Sequence, residues 1–136
     1  GVQEQVEFTG RVARAVALER LRHADAFLFP SSEVAGMVIL EAMAHGVPVV
    51  GLQGAGVGEM VPDSCGFAVE QGSLDATVAA LASALTCLWS NPELRQRMAA
   101  ECRRVVRERY LWERRHEVIR EWYRLAGMQT GQLLRA

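Results

Sequence analysis

Along the first half of the chain, short apolar runs with β-branched and aromatic residues alternate with stretches of helical spacing. Along the second half, helical spacing stands alone. The alternation predicts parallel strands joined by crossover helices. Strands are expected near Val6 to Phe8, Ala26 to Pro30 and Val47 to Leu52, with a weaker one at Gly66 to Val69. Helices are expected between them, at Ala15 to His23 and Gly36 to Gly46. The run Ala-Phe-Leu-Phe-Pro is almost purely apolar, as a strand buried on both faces would be.

Beyond Gly72 three long helices are expected. Ser73 can cap the first, from Leu74 to Trp89, with Leu74, Val78, Leu81, Leu85 and Leu88 along one face. Asn91 followed by Pro92 restarts a helix that reaches about Arg109, since Asn caps and Pro is tolerated at the first helical position. The last, Trp112 to Leu125, should turn Trp112, Val118, Ile119, Trp122 and Leu125 inward and stop before Gly127. One domain over residues 1–127 and a frayed tail over 128–136 complete the expected organisation.

Composition narrows the function classes. The 136 residues are half apolar, enough for one buried core, and the net charge of −1 gives no footprint for a polyanion. All 15 basic residues are arginine, so any step that needs a lysine must find it outside this chain. Cys65, Cys87 and Cys102 are odd in number and lack metal-ligand spacing, and they read as reduced structural thiols of a cytoplasmic protein. No apolar run is long enough to span a bilayer. The arginine-rich final helices admit two readings, a solvated face and a peripheral contact with the inner face of a membrane; interleaved Glu favours the first.

The candidate chemistry lies in Glu33 to Glu41, Glu-Val-Ala-Gly-Met-Val-Ile-Leu-Glu. The helix from Gly36 to Gly46 carries only Glu41 and His45 as ionisable groups, so it should be a buried helix and Glu41 a carboxylate near an interior. Ligand hydroxyls could supply the donors that Glu41 needs. Pro30, Ser31, Ser32 and Glu33 follow a parallel strand, at the end where open α/β sheets bind ligands. Gly36 and Met37 would offer backbone N–H groups and the positive end of the helix dipole to a diphosphate, with Gly36 allowing close approach. Plainer readings fit the same residues: Glu33 as a helix cap, and Glu41 with His45 as a solvent stripe at i, i+4 spacing.

Several blocks, taken in order, resemble the retaining glycosyltransferases of family 4, which have the two-Rossmann-domain GT-B fold. Val-Glu-Phe-Thr-Gly-Arg-Val is similar to the strand and loop beside the nucleotide base. Ala24 to Glu33 and Gly36 to Val50 are similar to the strand, motif helix and next strand, and Gly54 to Val61 to the Gly-Gly-x-Pro-Glu loop. Gly66 to Val69, Asn91 to Met98 and the Trp112 helix are similar to the closing elements. The match covers about residues 4–125.

The resemblance implies an α/β, Rossmann-like, partial C-terminal domain that helps move a sugar from a nucleotide diphosphate sugar to a hydroxyl acceptor with retained configuration. It implies that Glu33 faces the donor sugar as the catalytic group, that Glu41 holds the ribose hydroxyls, and that Gly36 and Met37 receive the diphosphate. The loop of Gly10, Arg11 and Val12 would lie along the base. No metal and no cofactor is implied. Here Val34 and Ala35 replace the family's usual Gly-Phe, and Gly58 stands where Pro is common. The family's Arg and Lys for the diphosphate belong to earlier strands, and the acceptor domain is absent, so the chain should be inactive alone. It is expected to be part of a larger protein, or to pair with another copy or subunit that covers open strand edges.

Two other readings are weighed. Gly54 to Gly58 after a strand could be a dinucleotide fingerprint, but its glycine spacing is wrong and Pro62 leaves no room for the helix of about ten residues that such a loop opens. A non-catalytic interaction or regulatory module of glycosyltransferase ancestry is the alternative function, supported by the missing lysine and the altered motif.

Overall fold

The structure is a computed structural model that describes residues 1–32 and 36–126. Three parallel strands lie in the order β1 (Phe27–Phe29), β2 (Val49–Leu52), β3 (Gly66–Val69). Phe27 is in register with Val49, and Val49 with Gly66. Helix α1 (Arg14–Arg22) precedes the sheet, α2 (Met37–His45) crosses from β1 to β2, and α3 (Ala55–Met60) from β2 to β3. Three long helices follow: α4 (Leu74–Ser90), α5 (Pro92–Arg109) and α6 (Trp112–Leu125).

Because side chains alternate across a strand, β2 splits the interior in two. Val49 packs with Ile39, Ala42, Met43, Val57, Cys65, Cys102 and Val105, a core built by α2, α3 and α5. Val50 packs on the other face with Leu81, Ala84, Leu88 and Met98 of α4 and α5. The helix boundaries follow the local signals. Ser73 Oγ accepts from Ala76 N at 3.3 Å, and Asn91 Oδ1 from Leu94 N at 2.9 Å with Pro92 first in α5. Gly46 ends α2 at φ 75°, in the left-handed region that favours glycine.

Helix α5 ties the lower ends of these elements together. Cys102 Sγ donates to Cys65 O at 3.3 Å, immediately before β3, and lies 3.8 Å from Val47 O, shortly before β2. Arg103 donates to His45 O at 3.2 Å and Arg95 to Leu88 O at 2.7 Å, so two arginines meet the last carbonyls of α2 and α4.

Several expectations need correction. Val6 to Phe8 forms no strand: among the described residues nothing pairs with it, Phe8 is 92% exposed, and Glu7 is instead bound by both Arg20 Nη atoms at 2.9 Å. The run around β1 is not buried on both faces, because β1 is an edge strand here and Leu28 is exposed. Leu74 and Val78 are exposed, and the buried positions of α4 begin at Leu81. The α6 boundaries are as predicted, yet Trp112, Val118, Trp122 and Leu125 are exposed and Ile119 is half-buried. The periodicity made an amphipathic helix, and no described element covers its apolar face. The glycine-rich stretch after β2, expected as a loop, forms the six-residue α3. The expected tail lies outside the described residues.

Three outcomes test this packing. A Cβ added at Gly66 would run into the Val49 carbonyl across the ladder. Gly66→Ala should therefore lower stability by about 3 kcal/mol, the upper part of the overpacking range, seen as a lower urea midpoint. Cys65 and Cys102 are buried and Cys87 is exposed, so a thiol reagent should label Cys87 quickly and the other two only on unfolding. Burial, followed by the nearby Cys65 thiol, pushes the Cys102 thiol above its ordinary range. This contribution is full below about pH 8.5, where the unfolded thiol stays neutral. It is lost at about 1.4 kcal/mol per pH unit above that, because only the unfolded chain ionises. Cys102→Ala should flatten that alkaline slope in pH-dependent urea titrations.

Candidate functional site

The site predicted from the sequence sits where β1 hands over to α2. Pro30 follows the carboxyl end of β1, and Gly36 is the residue before the first turn of α2. Glu33, with Val34 and Ala35, lies outside the described residues. Gly36 is buried, whereas Met37 is 68% exposed. A Cβ at Gly36 would stand 2.9 Å from Ile39 Cδ1 and 3.6 Å from Phe29 Cε1. The missing side chain therefore makes room inward, and packing of α2 on β1 accounts for this glycine.

Helix α2 is not buried on all sides, as its composition suggested. Ile39, Ala42 and Met43 are buried, while Met37 and Ala44 are exposed. Glu41 is on the margin between these faces, with its side chain 26% exposed. Its carboxylate is met by a protein donor rather than standing open: Arg14 Nη2 donates to Glu41 Oε1. This bond joins the first residue of α1 to the second turn of α2, and it brings the segment just after Val12 beside Glu41. The i, i+4 partner considered earlier, His45, has its backbone carbonyl bound by Arg103.

The expected base-side loop has one special backbone position. Gly10 adopts φ 58°, and a Cβ there would meet nothing within 4 Å, so conformation rather than space asks for glycine. Arg11 is exposed and Val12 is half-buried. The structure thus brings the end of this loop to Glu41 through Arg14. Arg14 itself escaped the sequence reading; the available signal was a basic residue opening a helix, where the dipole disfavours it.

A concavity of about 640 Å³ lies elsewhere, lined by Val2, Asp25, Ala26, Leu85, Trp89 and Arg95 among others. Asp25 and Ala26 precede β1, so this hollow opens at the end of the sheet opposite to Pro30 and Gly36. It is flanked by the Arg95–Asp25 ion pair at 3.1 Å and by the exposed Trp89. No group of His, Cys, Asp and Glu among the described residues is arranged to hold a metal ion. No described helix is long and apolar enough to cross a membrane.

Comparison with known proteins gives this geometry its context. The chain is 36% identical over 125 residues to a phosphatidyl-myo-inositol mannosyltransferase of Mycobacterium leprae, a match of 82% of this chain and 29% of that protein. It is 32% identical over 120 residues to a GDP-mannose-dependent monoacylated alpha-(1-6)-phosphatidylinositol monomannoside mannosyltransferase of Corynebacterium glutamicum, covering 82% of this chain and 30% of that one. The chain therefore spans about three-tenths of the length of these relatives. Among solved structures, a mutant of S. aureus TarM in complex with fondaparinux, alpha-GlcNAc-glycerol and UDP aligns with a TM-score of 0.73 at 19% identity, over 91% of this chain and 24% of that one. That likeness shows the fold, a partial Rossmann-like domain of the GT-B kind. Residues 1–91 match the family described as Glycosyl transferases group 1, and the chain belongs to that family.

Proposed function

We propose that the chain is the donor-binding part of a retaining family 4 glycosyltransferase, which transfers a sugar from a nucleotide diphosphate sugar to a hydroxyl acceptor. Family membership carries this reading, and the half-buried Glu41 on α2 beside the end of the Gly10–Val12 loop supports it. Glu41 accepts the ribose hydroxyls, and the loop lies along the base. The N–H groups of Gly36 and Met37, at the start of the nine-residue α2, face the diphosphate together with the helix dipole. Glu33 faces the sugar, where its charge stabilises the positive centre that develops as the glycosidic bond loosens. Rate enhancement on this account comes from positioning and from stabilising the leaving diphosphate, and the lysine-free chain relies on basic groups outside it for part of that charge.

Two relatives are named for phosphatidylinositol lipids. A lipid-borne hydroxyl is accordingly the first acceptor class to test, with the protein cytoplasmic and peripheral to the membrane's inner face. In the full-length protein that carries this chain, Glu41→Ala should weaken nucleotide diphosphate binding about 10- to 100-fold by calorimetry, the range for a hydrogen bond to a charged group. Glu33→Ala should lower kcat about 10²- to 10³-fold with a small change in binding. Equal effects of both substitutions on both quantities would contradict this division of roles.

A further inference from the structure

Arg14 opens α1, and Ala13 before it offers no side-chain cap. A cation at a helix N-terminus works against the dipole, so local helix energetics give no reason for arginine there. Its guanidinium reaches across 27 positions of sequence and donates through Nη2 to Oε1 of Glu41. The pair is asymmetric in its exposure: 26% for the Glu41 side chain and 75% for that of Arg14. The carboxylate sits half inside the junction of α1 and α2, and the guanidinium covers it from the solvent side.

A carboxylate offers about four acceptor sites on two oxygens, and Arg14 engages Oε1 alone. A glutamate side chain left to itself samples several rotamers, and that freedom is lost when a ligand fixes it. A partner that holds one oxygen beforehand reduces the loss. We propose that Arg14 is a positioning residue for donor binding, holding one oxygen of Glu41 so that the other meets the ribose hydroxyls. This inference rests on the reading of Glu41 as the ribose acceptor.

The test is calorimetry on the full-length protein with UDP and GDP, each compared with its 2′,3′-dideoxy counterpart. The unsubstituted protein should prefer the ribose form of whichever nucleotide it binds. Arg14→Ala should weaken binding of that ribose form about two- to fivefold, the range for a largely exposed ion pair, and leave the dideoxy form unchanged. Arg14→Lys, which keeps a charged donor, should recover part of the loss. With Glu41→Gln already present, Arg14→Ala should have no further effect.

Tighter or unchanged ribose-form binding by Arg14→Ala would overturn the proposal, the first by making Arg14 a competitor for Glu41. Equal weakening of both forms would also overturn it, since Arg14 would then meet the base or diphosphate, or serve folding alone. These results differ from failure of the underlying site, in which the unsubstituted protein does not distinguish ribose from dideoxyribose and Glu41→Ala changes nothing.

Discussion

Everything else in the structure is arranged around the burial of β2. Val49 and Val50 are both inaccessible to solvent, yet they point to opposite faces of the sheet and so demand two separate covers. Helices α2, α3 and α5 meet the first demand, and α4 with α5 the second. Parallel strands cannot be joined by a tight hairpin, so two of the covering helices, α2 and α3, are also the connections. The placement of α2, and therefore of Glu41, is a by-product of covering Val49. The residue proposed to hold the ribose thus inherits its position from an apolar contact.

Much of this frame was legible in the chain because its signals are local. Ser73, the Asn91–Pro92 pair and Gly46 mark helix ends by backbone chemistry that acts within a few residues, and those ends lie where expected. The failures share a different cause: each concerns what an element packs against. Trp112 and Trp122 make an apolar stripe, but a stripe does not name its cover. Val6 to Phe8 has strand-forming residues, but a strand needs a neighbour to accept its hydrogen bonds. α3 was missed because glycine is a poor helix former, and here a short turn between two covered strands overrides that preference.

Of the candidate site, only the placement of its residues on the fold can be compared with the sequence reading. The carboxylate at Glu41 and the start of α2 are where the motif put them, and the blocks that resembled glycosyltransferases belong to a chain of that family. Glu33 lies outside the described residues. Arg14 could not be found by motif, because a contact spanning two helices leaves no spacing rule in the sequence. Its only trace was a charge set against a helix dipole.

The hydrogen bonds made by α5 have a consequence for how such a unit can change over evolutionary time. Cys102, Arg103 and Arg95 reach carbonyls at the entrances to β2 and β3 and at the exits of α2 and α4, all at the amino-terminal end of the strands. Pro30 after β1 and Gln53–Gly54 after β2 are at the carboxyl end. Residues that secure the framework and residues proposed to meet the donor therefore occupy separate ends of the same strands. Loops at the carboxyl end can be lengthened, shortened or recoded without disturbing the fastening at the other, so that such a scaffold can change what it binds while its folding instructions stay the same.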